Sequence, residues 1–219
     1  MPNLPISQLP ASDALTGAEL FADVQDGVTK YTTLGDIATY TNYVQGNNYG
    51  LFNQTGSSAP VSGSTHVSGS LISGGIGTLS VPANGFTKGD AYQATFSGVI
   101  NAENNKRLRI QVKTDSVILA DTELISMPGI TGDKKWRMDI DFSIREIGGA
   151  GVAEIATAGT IMFRTDSSGD VVTEIFSDIN NTTFDTTIDN TLEVEAVWSN
   201  GPSDLSSIYS KLFTLLKTY

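Results

Sequence analysis

The chain has 219 residues, with 13 Lys and Arg against 24 Asp and Glu, one His and no Cys. A net charge of -11 disfavours binding to nucleic acid or an anionic membrane, which needs a basic face, and the lack of Cys excludes disulfides and thiolate metal sites. The length suits one sizeable domain with a small appendage; with no apolar run of about 18 residues and no basic-then-apolar leader in Met1 to Pro5, neither a transmembrane helix nor a signal peptide is expected.

The first element is a hairpin. Leu20 to Gln25 and Val28 to Thr32 alternate apolar and polar residues, and Asp26-Gly27 between them is a strong two-residue hairpin signal, because that turn requires positive φ at both central positions. Thr33 is placed to cap a short helical turn through Leu34, Ile37 and Ala38, with Asp36 near the positive end of its dipole. A unit of about 35 residues is too small to bury its own core, so another surface is expected to complete it. Residues 1–41 therefore read as an anchor.

The same residues carry a resemblance. Ile6-Ser7-Gln8-Leu9-Pro10, Leu15-Thr16-Gly17, Glu19-Leu20, Val24-Gln25-Asp26-Gly27-Val28-Thr29-Lys30, Thr32-Thr33-Leu34 and Asp36-Ile37-Ala38 resemble a short module that recurs near the N-termini of tailed-phage virion proteins, especially tail fibres and other appendages. Phe21-Ala22-Asp23 stands where that module commonly has a more aliphatic pair. The resemblance implies structural attachment without chemistry. It would make Leu20, Val24, Asp26, Gly27, Val28, Leu34 and Ile37 the residues that hold the chain to a virion.

Residues 42–50 are rich in Asn and Gly and read as a linker. Residues 53–77 are dominated by Ser, Thr and Gly, a composition that suits a flexible spacer or flat, exposed strands. Strands follow one another from about residue 79. Tyr92 to Val99 alternates, as do Arg107 to Lys113, Trp136 to Arg145 and Leu192 to Trp198. Gly132-Asp133, Ser168-Gly169-Asp170 and Asp189-Asn190 supply turns. Roughly eight short strands with turn signals between them predict an all-β fold, an antiparallel jelly-roll sandwich over residues 51–219. The last apolar segment, Ser207 to Tyr219, is expected inside a sheet or at a subunit contact. Leu192 to Trp198, Ser207 to Tyr219 and the opening Gly77 to Tyr92 resemble viral fibre knobs of the tumour-necrosis-factor-like kind, which implies a trimeric head.

No constellation predicts catalysis. His66 has no second His to complete a zinc set or a triad around an activated serine. Asp139 with Asp141, and Glu193 with Glu195, each share a strand face; such pairs can serve glycoside hydrolysis, but strand alternation already explains them. Asp166 to Asp170 puts oxygen ligands in a turn without the spacing of a calcium loop. Gly74-Gly75-Ile76-Gly77 opens no helix, so it is not a phosphate loop. Trp136 and Trp198 are candidate glycan contacts, since aromatic rings stack on sugar faces, although packing is the commoner use of such residues. The Gly148 to Gly151 turn is a candidate contact tip.

The resemblances thus imply a viral structural protein on the virion surface, and the residues predict no enzymatic activity, cofactor or metal. Its expected partners are two further copies of itself, other virion proteins such as the major capsid protein or tail and portal components, and a host surface glycan. Capsid decoration or head-fibre protein is the first reading, because the chain is short for a tail fibre and lacks a repetitive shaft. A glycan-recognising tail-fibre tip is the second, and a jelly-roll carbohydrate-active enzyme the third.

Overall fold

A computed structural model describes residues 20–25, 28–33, 50–62, 67–115, 117–166, 170–199 and 205–219. The chain divides into two compact units, Met1–Asn48 and Tyr49–Tyr219.

The first unit holds an antiparallel hairpin of β1 (Leu20–Gln25) and β2 (Val28–Thr33). Its register runs from Leu20 opposite Thr33 to Gln25 opposite Val28, so two residues join the strands, at the position of Asp26-Gly27. Those two residues, Leu34, Ile37 and the helical turn expected after Thr33 lie outside the described residues, as does the expected linker apart from Gly50.

The second unit is an antiparallel β-sandwich, the fold class expected, with no helix among the described residues. Its strands are β3 (Leu51–Gln54), β4 (Val61–Ser62), β5 (Val67–Ser70), β6 (Gly75–Thr78), β7 (Ser80–Val81), β8 (Ala91–Ala102), β9 (Arg107–Thr114), β10 (Val117–Asp121), β11 (Ile125–Ser126), β12 (Ile130–Glu146), β13 (Glu154–Arg164), β14 (Val171–Asn181), β15 (Asn190–Ser199) and β16 (Ser207–Lys217). An 8-stranded sheet runs β14-β13-β12-β8-β16-β3-β6, with β4 also on β16. A 6-stranded sheet runs β10-β9-β15-β5, with β11 on β9 and β7 on β15. β16 lies between β8 and β3, inside the larger sheet.

Alternation builds the core. Along β12, Trp136, Met138, Ile140, Phe142 and Ile144 are buried, while Arg137, Asp139, Asp141 and Arg145 take the other face. From the smaller sheet, Leu108, Ile110 and Val112 of β9 and Val194, Ala196 and Trp198 of β15 meet them. Phe96 is fully buried and stacks on Phe213 at 4.2 Å between ring centroids. Each such large side chain contributes roughly 2–3 kcal/mol of burial.

In its described residues the Ser, Thr and Gly-rich stretch forms strands and is not a spacer. Its strands join both sheets, and it substitutes side-chain hydrogen bonds for apolar bulk. The buried Gln54 amide donates to Ser210 Oγ at 2.9 Å and its carbonyl accepts from Ser73 N at 2.8 Å. Ser210 N donates to Ser58 Oγ at 2.9 Å, and Ser210 Oγ donates to the Leu71 carbonyl at 2.6 Å. A β-bulge between Ser210 and Leu212 then changes the phase of β16. It turns Phe213 and Leu215 into the core and leaves Leu212 and Leu216 exposed.

Candidate functional site

Trp136 and Trp198, candidate glycan contacts from sequence, are each only 2% exposed. Trp136 lies over Phe96 and donates its indole N–H to the carbonyls of Val99 and Tyr209, at 3.1 and 3.2 Å. Trp198 donates to the Val61 carbonyl at 2.9 Å. Both rings therefore fill the sandwich and present no free face for a sugar. The alternation itself carried that signal, since Trp136 shares its strand face with Met138 and Ile140, and Trp198 with Val194 and Ala196.

The carboxylate pairs stand on different sheets, Asp139 and Asp141 on β12 and Glu193 and Glu195 on β15. All four point away from the core, so the two pairs cannot flank one bond. Asp139 accepts from Arg137 Nε at 2.8 Å and from Thr95 Oγ1 at 2.9 Å, and the Arg137 hydrogen bonds hold its carboxyl below the usual carboxylate range. Asp141 accepts from Gln93 at 3.2 Å. Lys113 Nζ bridges Glu195 at 2.9 Å and Glu193 at 3.3 Å, and the Glu195 bond raises the ammonium above its ordinary value.

Asp166 is committed as well. Thr131 donates to it from backbone and hydroxyl, and Lys134 lies 3.3 Å away. Residues 167–169 of that turn, and His66, lie outside the described residues. The Gly148 to Gly151 tip is pinned by the β14–β15 connection, through Thr186 N to the Gly148 carbonyl at 2.9 Å and Gly151 N to the Thr182 carbonyl at 2.7 Å.

These titrations fix a pH profile. Asp139, held down by Arg137, Glu146, by Lys88, and Asp185, by the Thr187 hydroxyl, all have lowered pKa values. Their stabilisation is complete above the ordinary carboxylate pKa and is lost as pH falls through the lower folded values. Burial, reinforced by the Asp90 carboxylate, pushes the Tyr92 phenol up from its ordinary 10.0. That contribution is complete below pH 10.0 and is lost as pH rises. The melting temperature is therefore expected to be flat from about pH 5 to about pH 9 and to fall outside that window. Tyr92→Phe should make the alkaline limb shallower; an unchanged limb would show that the phenol does not cause it.

Two hollows remain. One, of about 50 Å³, is lined by Leu79, Phe86, Tyr92, Phe142 and Phe184; it is an apolar gap in the core, well below the roughly 150 Å³ that admits benzene. The other is an open groove of about 560 Å³ across β16, β8, β12, β13 and β14. Its polar lining is cationic: Lys135, Arg137, Arg164 and Lys211. Of its lining residues only Trp136 was singled out from sequence, because the others are spread over five strands and share no local motif.

No protein-family model and no curated protein sequence matches the chain. Among solved structures, the chain is similar to arcelin-5, a lectin-like defence protein from Phaseolus vulgaris, at 6% identity, with 79% of this chain and 94% of that chain covered and a TM-score of 0.42. It is similar to lectin II from Ulex europaeus at 10% identity, covering 77% and 93%, with a TM-score of 0.33. A CBM2 module of the evolved Dit of Lactobacillus casei BL23 phage J-1 aligns at 14% identity over 95% and 93%, with a TM-score of 0.29. Likenesses this distant concern the β-sandwich architecture alone and carry no argument about function.

Proposed function

We propose that this is a viral structural protein of the virion surface, a capsid decoration or head-fibre protein. In this reading the N-terminal unit attaches to the particle and the sandwich is the displayed head of a homotrimer, with binding and scaffolding roles and no catalytic one. The observation that carries it is the N-terminal module: the residues that resemble a virion-appendage segment include a hairpin whose two-residue connection falls at Asp26-Gly27. The trimer is supported by apolar side chains left outside the larger sheet, Leu216 at 53% and Ile76 at 75% exposure. They share the outer face of the sheet two strands apart: Thr214, two residues before Leu216 on β16, pairs with Asn53, and Asn53 pairs with Ile76. Apolar side chains exposed on one sheet face suit burial against further copies of the chain. The second reading, a receptor-binding tip on a tail fibre, is favoured by the cationic groove.

Immunogold labelling of purified virions with an antibody to the sandwich tests the location. Gold over the capsid is expected; gold confined to the tail would favour the second reading, and unlabelled virions would end both. Deleting residues 1–45 should abolish rebinding to particles while the remaining sandwich melts as before and sediments as about three chains. Undiminished rebinding would remove the anchor.

A further inference from the structure

The groove is unusual for where its charge sits. In a chain of net charge -11, most described cations are neutralised by a carboxylate: Lys88 by Glu146, Lys113 by Glu193 and Glu195, Arg145 by Glu154, Lys217 by Asp90. Lys135, Arg164 and Lys211 have no ion pair among the described residues, and all three line this one groove. Arg137 joins them, oriented by Asp139 at 2.8 Å. Lys211 sits at the bulge of β16, with its ammonium 5.8 Å from the centre of the Tyr209 ring.

Register shows how they are arranged. Ser210 and Leu212 on either side of Lys211 pair with Gly98 and Ser97. Those two pair with Trp136 and Arg137, which in turn pair with Phe163 and Met162. Arg164 follows Phe163 and pairs with Val171. The cations therefore form a row across the sheet, perpendicular to the strands. From β16 to β13 the row covers three inter-strand spacings, about 14 Å, and the whole groove to β14 about 19 Å.

We infer that this groove binds an acidic polysaccharide, a sugar chain carrying carboxylates or phosphates along its length. A single small anion needs donors converging on one point, whereas these cations are strung out at strand spacing. A chain with repeated charge meets them in sequence. Between the charges lie Met162, Val171 and Leu212, apolar surface suited to the C–H faces of sugar rings. Single-stranded nucleic acid would want exposed aromatic platforms, and the Trp136 and Phe163 rings are buried beneath the groove. Outside the groove the acidic surface repels a polyanion, which confines binding to this row. The inference deepens the glycan arm of the proposed function but is tested separately: labelling reads location, and binding reads the groove.

The test uses the full chain in affinity electrophoresis through gels containing polygalacturonate, a phosphorylated mannan, neutral dextran or double-stranded DNA. Retardation by an acidic polysaccharide and not by dextran is expected. It should weaken between about 0.1 M and about 1 M salt, as the screening length drops from roughly 10 Å to roughly 3 Å. The triple variant Lys135→Gln, Arg164→Gln, Lys211→Gln should bind roughly tenfold more weakly or worse, three weak exposed charge contacts acting together. Each single variant should weaken binding partially, and an unchanged melt certifies the fold. Arg107→Gln is the control: Arg107 is an exposed cation without an ion pair among the described residues, on β9 of the smaller sheet. It changes net charge by the same amount as each single variant and should leave affinity unaltered. No retention by either acidic polysaccharide overturns the inference. So does an Arg107→Gln effect as large as that of Lys211→Gln, or stronger retention by DNA. Groove variants that alter only the sedimentation of the protein would overturn it too, by showing that the row seats a second copy.

Discussion

Gly98→Val is expected to leave the sandwich unable to fold, and Gly98→Ala to lower its stability by about 3 kcal/mol, at the upper end for overpacking one methyl. Gly98 pairs on one side with Trp136 of β12 and on the other with Ser210 of β16. A Cβ there would collide with the Tyr209 carbonyl and stand 2.8 Å from both Ser210 Cα and Trp136 Nε1. Two of these obstacles are backbone, so relief requires parting β8 from β16, and the third is the indole whose N–H bonds the Tyr209 carbonyl. Thermal melts followed by near-ultraviolet circular dichroism, which reports both buried tryptophans, provide the measurement. Gly56→Ala is the reference, because nothing lies within 4 Å of a Cβ at that position. If Gly98→Ala melted like Gly56→Ala, the close approach of β8 and β16 would be less tight than described.

Lys217→Met should cost about 3 kcal/mol, the low end for breaking a buried ion pair, and lower the melting temperature by about 10 °C for a unit of this size. Lys217 Nζ is 2.7 Å from Asp90 Oδ1, and their side chains are 19% and 7% exposed. Asp90 also accepts from Thr87 N at 3.0 Å and Thr87 Oγ1 at 2.8 Å. Removing the ammonium leaves a carboxylate whose remaining partners are neutral, in a place water barely reaches. The same carboxylate holds the strand ends together, since Asp90 sits just before β8 and Lys217 closes β16, where Thr218 N donates to the Ala91 carbonyl at 2.8 Å. Lys88→Met is the contrast. Lys88 meets Glu146 at 2.6 Å, but the two side chains are 64% and 45% exposed, and solvent screens such pairs. Urea titration of both variants decides the matter; equal losses would mean that burial does not set the strength of these pairs.

Long alternating runs were the legible part of the sequence. The run from Trp136 to Arg145 lies within β12, Arg107 to Lys113 within β9 and Leu192 to Trp198 within β15, because burial on one face imposes a period of two that neighbouring residues display. Short strands were not legible: β4, β7 and β11 have 2 residues each, too few for a period, and they form because longer strands offer them an edge. The Ser, Thr and Gly-rich stretch left spacer and exposed strands both open for a different reason. Leu71 is its fully buried anchor, while Gln54 and Ser58 act through hydrogen bonds to Ser210, more than 150 positions away (|i−j| = 156 and 152). The groove was hidden in the same way, because Lys135, Arg164 and Lys211 become neighbours only through pairing register.

That long-range pairing gives the sandwich a timetable. Both β8 and β3 hydrogen-bond to β16, so on a ribosome the larger sheet waits in two halves until residue 217 has been made. Closing it demands contacts between segments separated by most of the chain, the kind of topology that folds in milliseconds to seconds rather than microseconds. During that interval two open strand edges face each other and any similar chain nearby. Nascent chains emerging side by side from one polysome would then be prone to exchange their last strands, and wider spacing of ribosomes along the message would favour correct closure.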